Sequence, residues 1–132
     1  MFRKLFAKKK AALTGAPAVR RMKTYSAQSG YVYQYYYEGR RDLPDADPGV
    51  EFVFSISADR KNWKPTSVNV SRSALAGWEQ ANGRELSSTE HYAIAKLALF
   101  QVFDERAEPS QLEAELHVRS ADVGTFIETL GL

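Results

Sequence analysis

Cysteine is absent from the 132-residue chain, which excludes disulfides, thiolate-bound zinc and a thiol nucleophile. Long apolar runs are missing as well, none approaching the roughly 18 residues of a membrane span. Acidic residues are missing from the first 23 positions, where eight Lys and Arg stand alone. The formal net charge of +2 therefore divides into a basic arm and an acidic body, since residues 24–132 hold ten bases against sixteen acids. Glycines are few and scattered, so neither a Gly-x-Gly-x-x-Gly turn nor a Walker-type loop exists, and dinucleotide and P-loop chemistry lose their usual signatures. The length fits one domain, read as residues 24–132 behind an arm over 1–23. At this size folding hides roughly two-thirds of the chain's surface, enough for an apolar core without staples.

The arm places Phe2, Leu5, Phe6 and Leu13 near one helical face, with Lys8, Lys9 and Lys10 mostly opposite. Thr14-Gly15-Ala16-Pro17 ends such a helix, because proline lacks an amide proton and disfavours helical geometry before it. A basic amphipathic segment can lie on an anionic membrane surface or neutralise nucleic-acid phosphates. It also fits a solvated tail, a transit peptide, or an over-extended start with Met22 opening the chain. As a secretory signal it is poor, since Ala11–Val19 is interrupted by Thr, Gly and Pro.

Beyond the arm the patterning predicts an α+β fold in the order β-β-β-α-α-β-α. Tyr31, Tyr33, Tyr35 and Tyr37 alternate with Val32, Gln34, Tyr36 and Glu38, a strand with an aromatic face and a more polar one turned to solvent. A loop rich in Gly, Pro and Asp over 39–49 leads to a second alternating run, Val50, Phe52, Phe54 and Ile56. The turn Ala58–Pro65 leads to a third, Thr66, Val68 and Val70. Short connections make an antiparallel meander the simplest arrangement. Ser71 or Ser73 caps a helix over 74–82 that stops at Gly83. Ser87-Ser-Thr-Glu90 is a capping box for a long helix over Ser88–Arg106, whose middle is apolar nearly all round and needs cover on several sides. Leu112, Ala114, Leu116 and Val118 alternate as a fourth strand, and Val123, Phe126, Ile127 and Leu130 align on a last helix over 121–130 with Ser120 as its cap. The expected architecture is an antiparallel three- to four-stranded sheet packed on the long central helix.

Candidate chemistry is sparse. Tyr92-x-x-x-Lys96 has the spacing at which a lysine can lower a tyrosine's pKa, as in short-chain dehydrogenases, but without a dinucleotide site Lys96 reads as a cation that snorkels to the surface. Glu90-His91 and Asp104-Glu105 sit at opposite ends of one helix, about 20 Å apart at a rise of about 1.5 Å per residue. His91 is expected to be solvated, and His117 falls on the polar side of its strand. Asp42, Asp45 and Asp47 miss the calcium-loop frame, and no Gly-x-Ser-x-Gly elbow is present. No catalytic, cofactor or metal residues are assigned.

Two binding surfaces remain. The tyrosine row is either a stacking platform for nucleic-acid bases or, preferred here, the face that packs on the long helix. The other is the basic-aromatic turn Arg60, Lys61, Trp63 and Lys64, joined by Arg40 and Arg41 only if opposite ends of one strand can share a patch. The expectation is a small cytoplasmic, non-enzymatic binding or assembly module working through a protein partner or a homodimer. The alternative is a nucleic-acid binder using the arm and the Arg60–Lys64 turn, and a third reading is a small enzyme using Tyr92 and Lys96.

Overall fold

The computed structural model describes residues 10–132, so the expectations placed on Phe2, Leu5, Phe6, Lys8 and Lys9 lie outside the described residues. The elements are β1 (Lys23–Ser26), β2 (Val32–Asp42), β3 (Gly49–Ser57), β4 (Lys64–Ser71), α1 (Arg72–Asn82), α2 (Ser88–Glu105), a 3-10 turn (Pro109–Gln111), β5 (Glu115–His117) and α3 (Ser120–Leu130). The class is α+β. The sheet has five strands in the order β1-β2-β3-β4-β5, and three pairings are antiparallel while β4 and β5 run parallel.

Two expectations are corrected here. The sheet is mixed, because the chain leaves β4, builds α1 and α2, and returns beside β4 in the same direction, as a helical crossover permits. It is also wider, because Lys23–Ser26, a segment across the 23/24 arm boundary to which the sequence pattern assigns no element, pairs with β2. Four mostly exposed residues give no alternation to read; their partner strand makes them a strand. Of the alternation over 112–118 only Glu115–His117 forms a strand, and Leu112 is the cap residue that ends the 3-10 turn.

Helix boundaries follow local chemistry. The Ser71 hydroxyl accepts from the Ala74 amide and starts α1 at Arg72 rather than 74. Ser87 and Glu90 form both bonds of the capping box. In α3 the Ser120 side chain does not cap; the N-cap residue is Arg119, whose side chain instead bonds Asp122.

The core lies between one sheet face and the helices. Phe52, Phe54, Ile56, Val68, Val70 and Leu116 come from the sheet, and Ile94, Ala95, Leu99, Val102 and Phe103 from α2. Tyr33 and Tyr35 join them, Tyr37 is half-buried, and Tyr31 is exposed. The aromatic row therefore packs inward. Tyr33 stacks on Phe103 with ring centroids 4.1 Å apart, and Tyr25 of β1 stacks on Phe100 at 4.2 Å. The cover that the apolar girth of α2 requires comes from the sheet and α3 of the same chain.

A β-bulge at Glu38 resets the register, so that Tyr37 opposes Phe54 but Gly39 opposes Val53. Arg40 consequently shares the helix-side face with Phe52, and Arg41 the opposite face with Glu51. That opposite face is not simply solvated: Gln34, Glu51, Ser57 and Asn69 are all buried. The Ser67 hydroxyl donates to Glu51 at 2.5 Å, and Asn69 donates to Glu115 at 2.9 Å.

Truncating Leu99, fully buried at the centre of α2, to alanine is expected to cost about 2–5 kcal/mol. Ser87→Ala, which removes the cap, is expected to cost about 0.5–2 kcal/mol. Urea denaturation should rank them in that order.

Candidate ligand-binding site

The segment before β1 builds the most distinctive cavity. Thr14 exchanges two 2.8 Å backbone hydrogen bonds with Arg40, and Lys23 pairs with Tyr35 further along the same edge of β2. Nine steps of chain thus run beside five on β2, and the surplus bows outward as a strap. Gly39 makes the anchor possible, since a Cβ there would lie 2.8 Å from the Thr14 carbonyl oxygen and its φ is 127°. Between the anchors, the Arg20 guanidinium grips Glu38 through bonds of 2.9 and 2.5 Å and lies 3.7 Å from the centre of the Tyr36 ring, on the far side of the sheet. This two-oxygen grip also holds the Glu38 carboxyl below its ordinary range, with the Ser55 hydroxyl assisting.

Behind the strap is a groove of about 530 Å³, lined on one side by Gly15, Pro17, Val19, Arg21 and Lys23 and on the other by Tyr35, Tyr37 and Tyr92. That volume falls within the range of small-molecule pockets. No acidic residue lines it. Above the tyrosines sits Lys96, half-buried, its ammonium 5.8–5.9 Å from the ring centres of Tyr35, Tyr92 and Phe100. Burial, and then the nearby Lys23 ammonium, push its pKa below the usual lysine value. Lys96 therefore does not reach the surface freely as expected. Neither Lys23 nor Lys96 forms an ion pair among the described residues, and residues 1–9 contain no acid that could supply one.

Burial raises the hydroxyl pKa values of Tyr35, Tyr37 and Tyr92, that of Tyr92 to about 12, while Arg40 partly offsets the effect at Tyr37. The three phenols therefore stay protonated hydrogen-bond donors at neutral pH. An activated tyrosine requires the opposite shift, and Lys96 makes no hydrogen bond to the Tyr92 hydroxyl.

The sequence-predicted binding residues do not converge. Arg41 lies 3.8 Å and Lys10 3.4 Å from Glu51, both on the face away from the groove. Arg40 turns toward Tyr37 and Gly15 at the groove's end. Arg60, Lys61, Trp63 and Lys64 lie toward the other end of β3 from Arg40 and Arg41, with Lys64 opposite Ile56 while Arg40 is opposite Phe52, so the two basic groups form no common patch. Within that turn Asp59 accepts from the Lys61 and Asn62 amides at 2.8 Å each, which holds its carboxyl well below the ordinary range. Lys64 donates to the Leu112 carbonyl at 3.2 Å. His91 is half-buried rather than solvated, its Nε2 buried without a partner, and burial lowers its pKa. His117 stays on the polar face beside Glu115. Among the described residues no three His, Asp or Glu side chains are placed to hold a metal, and no helix is long and apolar enough to cross a membrane. Sequence reasoning missed Lys23 and the strap; the only signal was the small-residue run Thr14–Val19 beside a strand edge.

Comparison with protein-family models, with curated proteins and with solved structures gives no match.

The raised phenols set an alkaline limit. Tyr25 reaches about 12 through burial and its hydrogen bond to Asp104, matching Tyr92. The folded chain keeps protons that the unfolded chain releases near pH 10, so the stability they contribute is complete below about pH 10 and lost as the pH rises toward 12. Urea midpoints should hold steady from pH 8 to 9 and fall beyond 10, with a shallower fall in Tyr92→Phe.

Proposed function

We propose that this protein is a non-enzymatic binding module that holds an anionic ligand with an aromatic or apolar body in the tyrosine groove. The carrying observation is that a groove lined by three phenols and no acid has one uncompensated ammonium group on its wall, the exposed Lys23, and a second, Lys96, over the rings of two of those tyrosines. Two like charges brought together in a partly buried site destabilise each other, and an anion relieves both at once. Protonated phenols add neutral donors to the same acid group, and their rings offer a flat apolar wall. Arg21 lines the mouth, where an exposed cation favours the approach of anions.

Several features favour binding over catalysis. The groove's tyrosines are shifted away from reactivity, no histidine or carboxylate lines it, and no nucleophile stands beside a base. Self-association loses the motive it had in the sequence, since α2 is covered within the chain and none of its large apolar side chains is fully exposed. The edge strands are only four and three residues long, which discourages edge-to-edge pairing.

Calorimetry with naphthyl phosphate tests the reading, with uncharged naphthol as the control. The phosphate should bind and naphthol should bind far more weakly. Lys96→Gln and Lys23→Gln should each weaken the phosphate about tenfold or more, the loss expected of a charged hydrogen bond worth about 1.5–3 kcal/mol. Equal binding of the two compounds, or an affinity unmoved by Lys96→Gln, would refute the proposal.

A further inference from the structure

The sheet face turned away from α2 carries an aromatic stack that the groove does not use. Tyr36 touches two partners there: the Arg20 guanidinium lies 3.7 Å from its ring centre, and the Trp63 ring centroid lies 5.1 Å away at an interplanar angle of 45°. With Arg20 fixed by Glu38, the stack supports Trp63 from within and leaves the indole exposed. Val32, also exposed, lies on the same face at the start of β2.

The turn that carries Trp63 is built to hold cations outward. Asp59 spends its carboxylate on the turn itself, accepting from Lys61 N, Asn62 N, Asn62 Nδ2 and the Ser57 hydroxyl at 2.7–3.0 Å. Arg60 adopts a left-handed φ of 65°, the only non-glycine residue to do so among the described residues. Neither Arg60 nor Lys61 has an ion-pair partner among the described residues. Glu38, the other acid of this neighbourhood, is consumed by Arg20 and Ser55.

An exposed, back-supported indole flanked by free cations matches the chemistry of single-stranded nucleic acid, whose bases all present a stacking face and whose phosphates need only positive charge. A protein partner would need a broader apolar surface than this one tryptophan offers. From this arrangement we infer that the outer sheet face binds single-stranded nucleic acid, one base stacking on Trp63 and the adjoining phosphates meeting Arg60 and Lys61. The site is distinct from the tyrosine groove, which opens on the other side of β2.

The test uses the full chain and a fluorescein-labelled oligothymidylate of about ten nucleotides, titrated from low to moderate salt. Binding is expected, weakened about ten- to hundredfold by Trp63→Ala, as a stacking contact predicts. Trp63→Phe should retain most of the affinity, and Trp78→Phe, altered in a half-buried tryptophan of α1, should leave it unchanged. Replacing both Arg60 and Lys61 by Gln should make the salt dependence shallower by about 1.4 in the log–log slope, at about 0.7 per phosphate lost. This double variant alters only exposed turn side chains and serves should Trp63→Ala disturb the fold. No binding at low salt would overturn the inference. So would affinity that survives both Trp63→Ala and the double variant but vanishes when Lys8, Lys9 and Lys10 become Gln, because the basic arm alone would then be the contact. Polyglutamate binding as tight as the oligonucleotide would also overturn it, pointing to an acidic protein partner.

Discussion

Everything in this fold hangs on the aromatic interlock between β2 and α2. Tyr33 lies flat on Phe103 and Tyr25 flat on Phe100, so two strands meet one helix through stacked rings, which gain stabilisation beyond the area they bury. The same contact fixes the turn between β1 and β2, where the Gln28 amide and the Tyr25 hydroxyl both bond Asp104 and the Ser29 hydroxyl bonds the Phe103 carbonyl. The carbonyls and carboxylate at the end of α2 thus receive donors from the sheet edge. Because that turn is held, β1 is held, and because β1 is held the preceding segment must pass along the edge of β2.

Alternation and capping made much of this legible. The capping box at Ser87 and Glu90 locates α2, and the three alternating runs locate β2, β3 and β4 to within a few residues. The inward packing of the tyrosine row followed from the need for one apolar sheet face. What escaped the sequence is what depends on partners rather than on local pattern. β1 is four polar or half-buried residues whose only qualification is a free edge beside them. The parallel pairing of β5 is a property of the crossover path, not of Glu115–His117. The bulge at Glu38 is invisible in a run of alternating side chains, yet it decides which face each later side chain takes, putting Arg40 with Phe52 and Arg41 with Glu51.

Charge shows the same difference between count and place. Split by position, the chain is a basic arm on an acidic body, and the described part of that arm spends much of its charge on the body: Arg20 on Glu38, Lys10 on Glu51. Exposed pairs of this kind contribute little stability, but they determine which cations remain uncompensated. Lys23 and Lys96 are left together above the tyrosines, and Arg60 and Lys61 are left at the tip of a turn whose single acid is engaged by its own amides. Net charge predicts none of this, because neutralisation is decided by register.

The bulge also explains how one strand can serve two surfaces. Before it, β2 puts Tyr35 and Tyr37 on the groove side and Tyr36 on the outer side; at it, Glu38 turns outward to seize Arg20, and Gly39 clears space for the Thr14 carbonyl. A regular strand would place the Arg40 side chain on the face where Glu51 and Asn69 lie. The bulged Glu38 therefore serves both surfaces, since Arg20 fastens the strap through its bonds to Glu38 and lies over the Tyr36 ring. The two surfaces are separated by the thickness of the sheet but share that one side chain. Through Arg20, whatever displaces the strap on one face must also loosen the aromatic stack on the other.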